Sequence, residues 1–341
     1  MLEVKRIWLS SITASFILSI SALPLAEAQK TVLIPYSGHS ETVAQMWVGA
    51  EKGLFNKYGL DARMLQIRSG PLVMATLASG SVQVMWGAPS SVVGAVAAGL
   101  RVSCVATPIN RLPWELVVRK EIKSFDELRG RVFGVQSIGG GFWLNTMLAL
   151  QNLGLDPEKY QLSMRIIGDV PTVTQALIAG NVDAAVLPYS FGDVAKRAGL
   201  RSLADTGKLK FPYQGPGLCA QREAVANSPD LITRLVKGMI EAVVFIHDPG
   251  NKEGVAEVLK KNLRLARPED VETSYRVLRE MTTPDLDVAP DLGAWRTIQR
   301  IVARVNPKVG QVDVGQVLDT SFVRSLEESG FLPEARKKLG R

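Results

Sequence analysis

The sequence predicts an α/β fold built as two Rossmann-like lobes with a central cleft. The first observation behind this is internal. Residues 67–101 align without a gap onto 167–201, with twelve identities in those 35 positions. Among the matches are Pro71/Pro171, Gly80/Gly180, Ser90/Ser190 and Ala98-Gly99-Leu100-Arg101 against Ala198-Gly199-Leu200-Arg201. Ordinary residue frequencies would give about three by chance. A solenoid repeats every 20–50 residues or so, and this period is far longer, so the duplication implies two similar lobes. The second observation is the pattern within each copy: short apolar strands alternate with helices, which implies parallel sheets covered on both faces. The third is length, since 341 residues suffice for two cores. Clefts between lobes are where small ligands bind.

At the N-terminus, Lys5 and Arg6 precede an apolar stretch from Ile7 to Leu25, and Ala26-Glu27-Ala28 fits a small-x-small cleavage pattern. Residues 1–28 therefore read as a signal peptide for export. Serines and a threonine at 10, 11, 13, 15, 19 and 21 interrupt the stretch, which disfavours a retained anchor of about 20 residues. Thr31–Tyr36 predicts a strand leading into a helix from Glu41 to Lys57, in which Val43, Met46, Trp47, Ala50 and Leu54 share the core face. The first copy then predicts strand Asp61–Ile67, helix Pro71–Ser79 stopped by Gly80, strand Val82–Gly87, helix Ser90–Ala98 and strand Arg101–Ala106. Ser124-Phe125-Asp126-Glu127 fits a capping box for a short helix. Arg131–Gln136 and Phe142–Leu153 form the strand–helix unit in front of the second copy. That copy runs Leu162–Ile167, Pro171–Ala179, Val182–Leu187, Tyr189–Ala198 and Leu200–Ala204.

Two extended apolar runs, Leu112–Lys120 and Gly217–Gln221, have no helix before them and are the candidate strands crossing between lobes. Ser228-Pro229-Asp230 starts a helix through Ile246, with others at about 252–263, 267–281, 291–304 and 314–329. This helical C-terminal segment is expected to pack on lobe 1. The expected boundaries are 29–116 plus 216–341 for lobe 1 and 117–215 for lobe 2.

The net charge of +7 survives removal of residues 1–28, which hold two bases and two acids. The basic residues are scattered, with no dense block beyond Lys260-Lys261 and Lys337-Lys338, so no nucleic acid partner is expected. Cys104 and Cys219 form no C-x-x-C pair and lie far from the export segment, so no lipid-attachment cysteine exists. Export permits a disulfide between them; two buried thiols are the alternative. His39 and His247 are the only histidines, without clustered ligand spacing, and no metal or other cofactor is expected.

The stretch Met46-Trp47-Val48-Gly49-Ala50-Glu51-Lys52-Gly53-Leu54-Phe55-Asn56-Lys57-Tyr58-Gly59-Leu60-Asp61 resembles the "A-x-x-x-G-L-F-x-x-x-G-L-D" opening of periplasmic substrate-binding proteins of the nitrate/sulfonate/taurine class of ABC importers. The likeness continues through Leu77–Val82, through Ser124–Gly134 with Glu127 where an aspartate is common, through Gly180-Asn181-Val182-Asp183-Ala184-Ala185, and into Ser228-Pro229-Asp230. It covers essentially the whole chain after residue 28. It implies a type II periplasmic-binding fold, a monomer, and a small-molecule ligand delivered to a membrane permease and its ATPase. Members bind nitrate, bicarbonate, sulfonates, pyrimidine precursors or aromatic acids, so the resemblance leaves the solute open.

In open α/β sheets ligands sit beyond the carboxyl ends of strands. In lobe 1 this picks out Tyr36, Ser37, His39 and Ser40, then Ser69, Gly70 and Pro71, then Ala88, Pro89 and Ser90. In lobe 2 it picks out Ser137, Gly139, Gly140, Gly141 and Phe142, then Asp169, then Tyr189 and Ser190. Three glycines before a helix let backbone approach a ligand, and the helix start offers free N–H groups to an anion. No Lys-Ser/Thr pair follows them, so this is no P-loop. The serines could equally be N-caps, His39 an exposed loop histidine, and the aromatic residues packing. Arg68 and Arg111 are the nearby fixed cations. Hydroxyls, glycines and rings suit a small organic acid or a heteroaromatic solute better than a strongly charged inorganic anion.

Two other readings use the same pocket. An enzyme on this fold would need a nucleophile, base or metal; the residues offer only His39 with Asp169, from opposite lobes, and the cysteine-rich motif of the pyrimidine-synthesising relatives is absent. A ligand sensor for a signalling partner would differ only in output.

Overall fold

The computed structural model describes residues 29–282 and 285–339, so the signal peptide expected over 1–28 lies outside the described residues. The first half contains β1 (Lys30–Ser37), α1 (Ala44–Glu51), β2 (Leu60–Ile67), α2 (Gly70–Ala78), β3 (Val84–Gly87), α3 (Pro89–Ala97) and β4 (Val102–Ala106). After a crossing come β5 (Trp114–Val118), β6 (Val132–Val135), α4 (Gly141–Asn152), β7 (Ser163–Ile166), α5 (Val170–Ile178), β8 (Ala184–Pro188), α6 (Tyr189–Arg197) and β9 (Arg201–Asp205). The chain returns through β10 (Gly217–Gln221) to α7 (Arg222–Asn227), α8 (Pro229–His247), α9 (Lys252–Leu263), α10 (Pro268–Met281), α11 (Leu292–Ala303), α12 (Ser321–Glu328) and α13 (Phe331–Leu339).

Two five-stranded sheets result, ordered β2-β1-β3-β10-β4 and β7-β6-β8-β5-β9. The orders correspond strand for strand, so the duplication in sequence is a duplication in space. β3, β4, β5 and β8 are buried along their whole length, as strands covered on both faces must be.

The sheets are mixed rather than parallel. β1 pairs in parallel with β2 and β3, and β6 with β7 and β8. β10 runs antiparallel between β3 and β4, and β5 antiparallel between β8 and β9. These two strands were the crossing candidates, and each lies wholly in one sheet. They enter from the other lobe without a helix to reverse them, so they arrive in the opposite direction. The crossings themselves are the segments 107–113 and 206–216. They lie side by side: Gly215 N–H donates to the Ile109 carbonyl at 2.9 Å, and Thr107 Oγ1 donates to the carbonyls of Gly215 and Pro216 at 3.3 and 3.1 Å. A Cβ at Gly215 would stand 2.6 Å from the Ile109 side chain, and one at Gly217 2.5 Å from the Ala106 carbonyl. Glycine is what lets the two strands of chain touch.

Several elements differ from expectation for local reasons. The helix foreseen over 41–57 begins as a 3₁₀ turn at Glu41–Val43 and ends at Glu51. Gly53 (φ +66°) turns the chain so that Phe55 packs between Gly49 and Gly238, where added Cβ atoms would meet its ring at 2.6 and 2.2 Å. The capping box does not form: Glu127 Oε2 accepts from the Lys123 N–H at 2.9 Å, and a 3₁₀ turn covers Asp126–Leu128. The helix foreseen over 314–329 is broken because 317–319 pairs with the edge of β4. Cys104 N–H donates to Val317 O at 2.8 Å and Asp319 N–H to Cys104 O at 3.0 Å. α7 and α13 were not foreseen. The C-terminal helices pack on the first lobe through α8 and α9 on α1, α11 on α3 and α12 on β4, while α10 also reaches α6 and α11 reaches α4.

Cys104 of β4 and Cys219 of β10 face each other in register and form a disulfide, with Cα atoms 4.0 Å apart. The bond settles the choice between disulfide and thiols. It spans 115 residues of sequence, which include the whole second sheet. For a loop of roughly 100 residues the chain-entropy model puts such a bond at about 4.7 kcal/mol. Cys104→Ala with Cys219→Ala should therefore lose about 2–5 kcal/mol in guanidinium unfolding. A reductant should lower the wild-type midpoint and leave the double variant unmoved; a wild type indifferent to reductant would contradict the bond.

Candidate functional site

Helices α2, α3, α4 and α5 all start where strands end at the seam between the lobes. Proline in the first turn of α2, α3 and α5 pre-sets the backbone for helix. No side chain caps α2, α3 or α4, whose N-cap residues are Ser69, Ala88 and Gly140. Pro71 and Pro89 bring no N–H and Ser91 N–H is taken by Ala88 O at 3.0 Å, so α4 offers the most open helix start, with the positive end of its dipole behind it.

Between the lobes lies a small, partly open cavity of about 30 Å³. That is room for about two waters. The β1 loop supplies Ser37, His39, Ser40 and Thr42, and the start of α3 supplies Ala88 and Pro89. The second lobe supplies Gln136, Gly141, Phe142 and Asn145, with Trp114 at the start of β5, and the second crossing supplies the run 213–216. Trp114 and Phe142 meet edge to face at 5.7 Å and form an aromatic wall. The Trp114 indole N–H is buried without a hydrogen-bond partner, a donor free for a ligand acceptor. Tyr213 donates to Asn145 Oδ1 at 3.0 Å, and complete burial raises its pKa, so it stays a neutral hydroxyl. Gln214 accepts from Trp295 Nε1 at 2.9 Å and from the Asp291 N–H at 2.8 Å, which ties the crossing to α11.

No Asp, Glu, Lys or Arg lines this cavity. Its one imidazole, His39, is 9% exposed and has its pKa lowered, chiefly by burial, so it is neutral near pH 7. Its Nδ1 lies 3.2 Å from Gln66 Nε2, which makes it the acceptor. Selectivity must therefore come from neutral donors and helix ends.

Of the residues picked from sequence, Ser37, His39, Ser40, Ala88, Pro89, Gly141 and Phe142 line the cavity. Ser69 and Ser137 line a polar hollow nearby, with Arg68 and Gln136. Gly70 lies against Ser91 and Ser37, its added Cβ falling 2.1 and 3.6 Å from their hydroxyls, and Gly140 lies against Ser137 at 2.4 Å. Gly139 (φ +75°) carries a carbonyl that accepts from Ser91 Oγ at 3.5 Å across the seam. Pro71, Ser90 and Gly139 line a groove on one flank.

Besides these seven neighbours, four more picked residues lie off the cavity. Tyr36 packs edge-on to Trp47 in the core, ring centroids 5.9 Å apart. Tyr189 donates to Asp205, with Arg276 over its ring. Asp169 caps α5, accepting from Thr172 N and Oγ1 at 3.2 and 2.6 Å. It shares a side pocket with His39. Ser190 donates to Glu41 Oε1 at 2.5 Å. Sequence reading missed Trp114, Asn145 and the crossing residues. The signals were there: Asn145 lies one turn beyond Gly141, and Pro212-Tyr213-Gln214-Gly215-Pro216-Gly217 is dense in proline and glycine just before a crossing strand.

The lobes touch in this structure. Gln136 Nε2 donates to Arg68 O at 2.8 Å, and a Cβ on Gly141 would come within 2.9 Å of the Ala88 methyl. Glu41 takes hydrogen bonds from Ser190 at 2.5 Å and, from α10, Ser274 at 2.8 Å, while its Oε2 is buried without a partner. Burial raises the Glu41 pKa. An acid raised on folding holds its proton longer in the native state, so its effect on stability is absent below the unfolded value of 4.5 and turns unfavourable as pH climbs toward the folded value. Glu41→Gln should flatten the loss of stability between pH 5 and 8, read by guanidinium unfolding at several pH values. Parallel pH profiles for wild type and variant would refute the assignment.

A Brucella abortus (strain 2308) protein described as a binding protein is 25% identical over 280 residues, covering 81% of this chain and 83% of its own. A structure from Bordetella bronchiseptica RB50 superposes with a TM-score of 0.74 at 21% identity, covering 89% of this chain and 98% of that one. The periplasmic aliphatic sulphonate-binding protein SsuA of Escherichia coli gives 0.66 at 20% identity, covering 85% and 92%. The periplasmic nitrate-binding protein NrtA of Synechocystis PCC 6803 gives 0.69 at 13%, covering 90% of each chain. The fold is thus the two-lobed one of periplasmic binding proteins. The profile of the family described as NMT1/THI5 like matches residues 40–251, more than half the chain, and the chain belongs to the NMT1/THI5-like family.

Proposed function

We propose that this protein is an extracytoplasmic solute receptor, exported through residues 1–28 and acting as a monomer. It captures a small organic acid or heteroaromatic solute between its lobes and delivers it to the permease and ATPase of an ABC importer. The observation that carries this reading is the cavity between both lobes, lined by neutral donors and uncapped helix starts, with no Asp, Glu, Lys or Arg among the described residues that line it. A helix start favours an anionic group by about 0.3–1 kcal/mol, and up to about 2 kcal/mol when partly buried. Micromolar capture needs about −8 kcal/mol, which helix ends, the Trp114 N–H and the aromatic wall can supply together. The paired crossings, 107–113 and 206–216, provide the line about which the lobes would part to admit the solute. The expected boundary at 116/117 falls inside β5, whose Trp114–Leu116 pair with β8, and moves back to the first crossing. Structural neighbours described as periplasmic sulphonate- and nitrate-binding proteins support this reading.

Native mass spectrometry of protein purified from its host should find a co-purified small molecule, and removing it should expand the protein in small-angle scattering. A scattering curve identical with and without that molecule would count against closure. Gly140→Asp sets a carboxylate at the start of α4. It should weaken binding of an acidic co-purified solute by about a hundredfold, since like charges brought together cost several kcal/mol.

A further inference from the structure

We infer that the solute is amphiphilic, with a small polar head in the central cavity and an apolar body in the groove beside it; this rests on the solute-receptor reading above. The first argument is size. The cavity has room for about two waters, less than any organic acid with a carbon skeleton fills. The flanking groove offers about 670 Å³, within the roughly 300–1,000 Å³ of small-molecule sites.

The second argument is chemistry. Met74 and Ala78 of α2, Gly94 of α3 and Ala98 just after it form the groove's floor and walls, and Ile138 of the second lobe and Val305 beyond α11 form its rim. Ile138 is 39% exposed and Val305 49% exposed, so an apolar body laid between them would bury surface that is now wet. Gly94 leaves the groove wide, because a Cβ there meets nothing within 4 Å. Ser90, also on the lining, is 1% exposed and its hydroxyl finds no hydrogen-bond partner. A buried unpartnered hydroxyl in an apolar groove is the polar contact a ligand would complete.

The third argument is continuity. Ser90 and Ser91 on the groove directly follow Ala88 and Pro89 on the cavity, and Gly139 on the groove lies two residues before Gly141 on the cavity. The two linings thus adjoin along the chain at the starts of α3 and α4. There the lobes are joined by the Ser91–Gly139 hydrogen bond at 3.5 Å, longer than the 2.8 Å of Gln136–Arg68 or the 2.5 Å of Ser190–Glu41. It is the contact most easily parted by a chain lying across it.

Calorimetric titration of the full chain with straight-chain 1-alkanesulfonates and n-alkanoates of two to ten carbons tests this. Affinity should rise with chain length by up to about fourfold per methylene until the groove is full. Gly94→Phe, and the smaller Gly94→Leu, should abolish the rise while leaving affinity for the two-carbon members unchanged. Equal affinity for short and long members would overturn the groove and leave the receptor reading standing. A rise that persists in both Gly94 variants, or no binding by any long-chain member, would also overturn it. Failure of the receptor reading shows separately, as no co-purified molecule and no change in scattering.

Discussion

Two strands, each set into the middle of the opposite half's sheet, hold this architecture together. β5 lies between β8 and β9, and β10 lies between β3 and β4. A strand in the middle of a sheet cannot leave without breaking two ladders of hydrogen bonds, so the chain is pinned on both sides of each crossing. Because the crossings also bond to each other through Gly215 and Thr107, the sheets are held with their carboxyl edges facing. Helix starts on both sides of the cavity follow from that placement. The C-terminal segment braces the same region: Thr107 N–H donates to Val288 O at 2.8 Å and Asn110 N–H to Met281 O at 3.1 Å.

The chemistry of the cavity follows from burial. A fixed charge in so small a dry space would need a permanent partner, and the lining has none to offer one. Charge recognition is left to backbone dipoles, which carry no desolvation penalty of a full ion. Glu41 and Asp270 are deeply buried acids at the lobe contact, and both lie outside the cavity. Glu41 is met by two serine hydroxyls, and Asp270 of α10 pairs with Arg197 of α6 at 2.5 Å. Farther out, Arg304 pairs with Asp156 at 2.9 Å. Beside the cavity itself the lobes meet through hydrogen bonds, each of modest net worth, about 0.5–1.5 kcal/mol.

The repeat, the alternation of strand and helix, and the proline-started helices were legible because each depends on residues close in sequence. The loops at strand ends were legible for the same reason, and Ser37, Ala88, Pro89 and Gly141 were found that way. What sequence hid is what distance brings together. Trp114 and Tyr213 reach the cavity only because two crossings meet, and nothing local marks a crossing strand as antiparallel. Ser190 matches Ser90 in the repeat, yet Glu41 claims it from 149 residues away along the chain, with Ser274 on the same carboxylate oxygen. Asp169 lies at a strand end as expected and is occupied in capping its own helix. Position was readable at such residues, and hydrogen-bond partner was not.

The bond between Cys104 and Cys219 gives the second lobe an unusual standing within the chain. Everything from β5 to β9 hangs as a loop whose two ends are sewn together in the first sheet. A protease that nicks any surface turn of that loop severs the backbone without releasing a fragment. The two halves remain one covalent molecule in an oxidising compartment, with both sheets still able to hold their strands. Damage to the outer jaw is thereby separated from loss of the jaw.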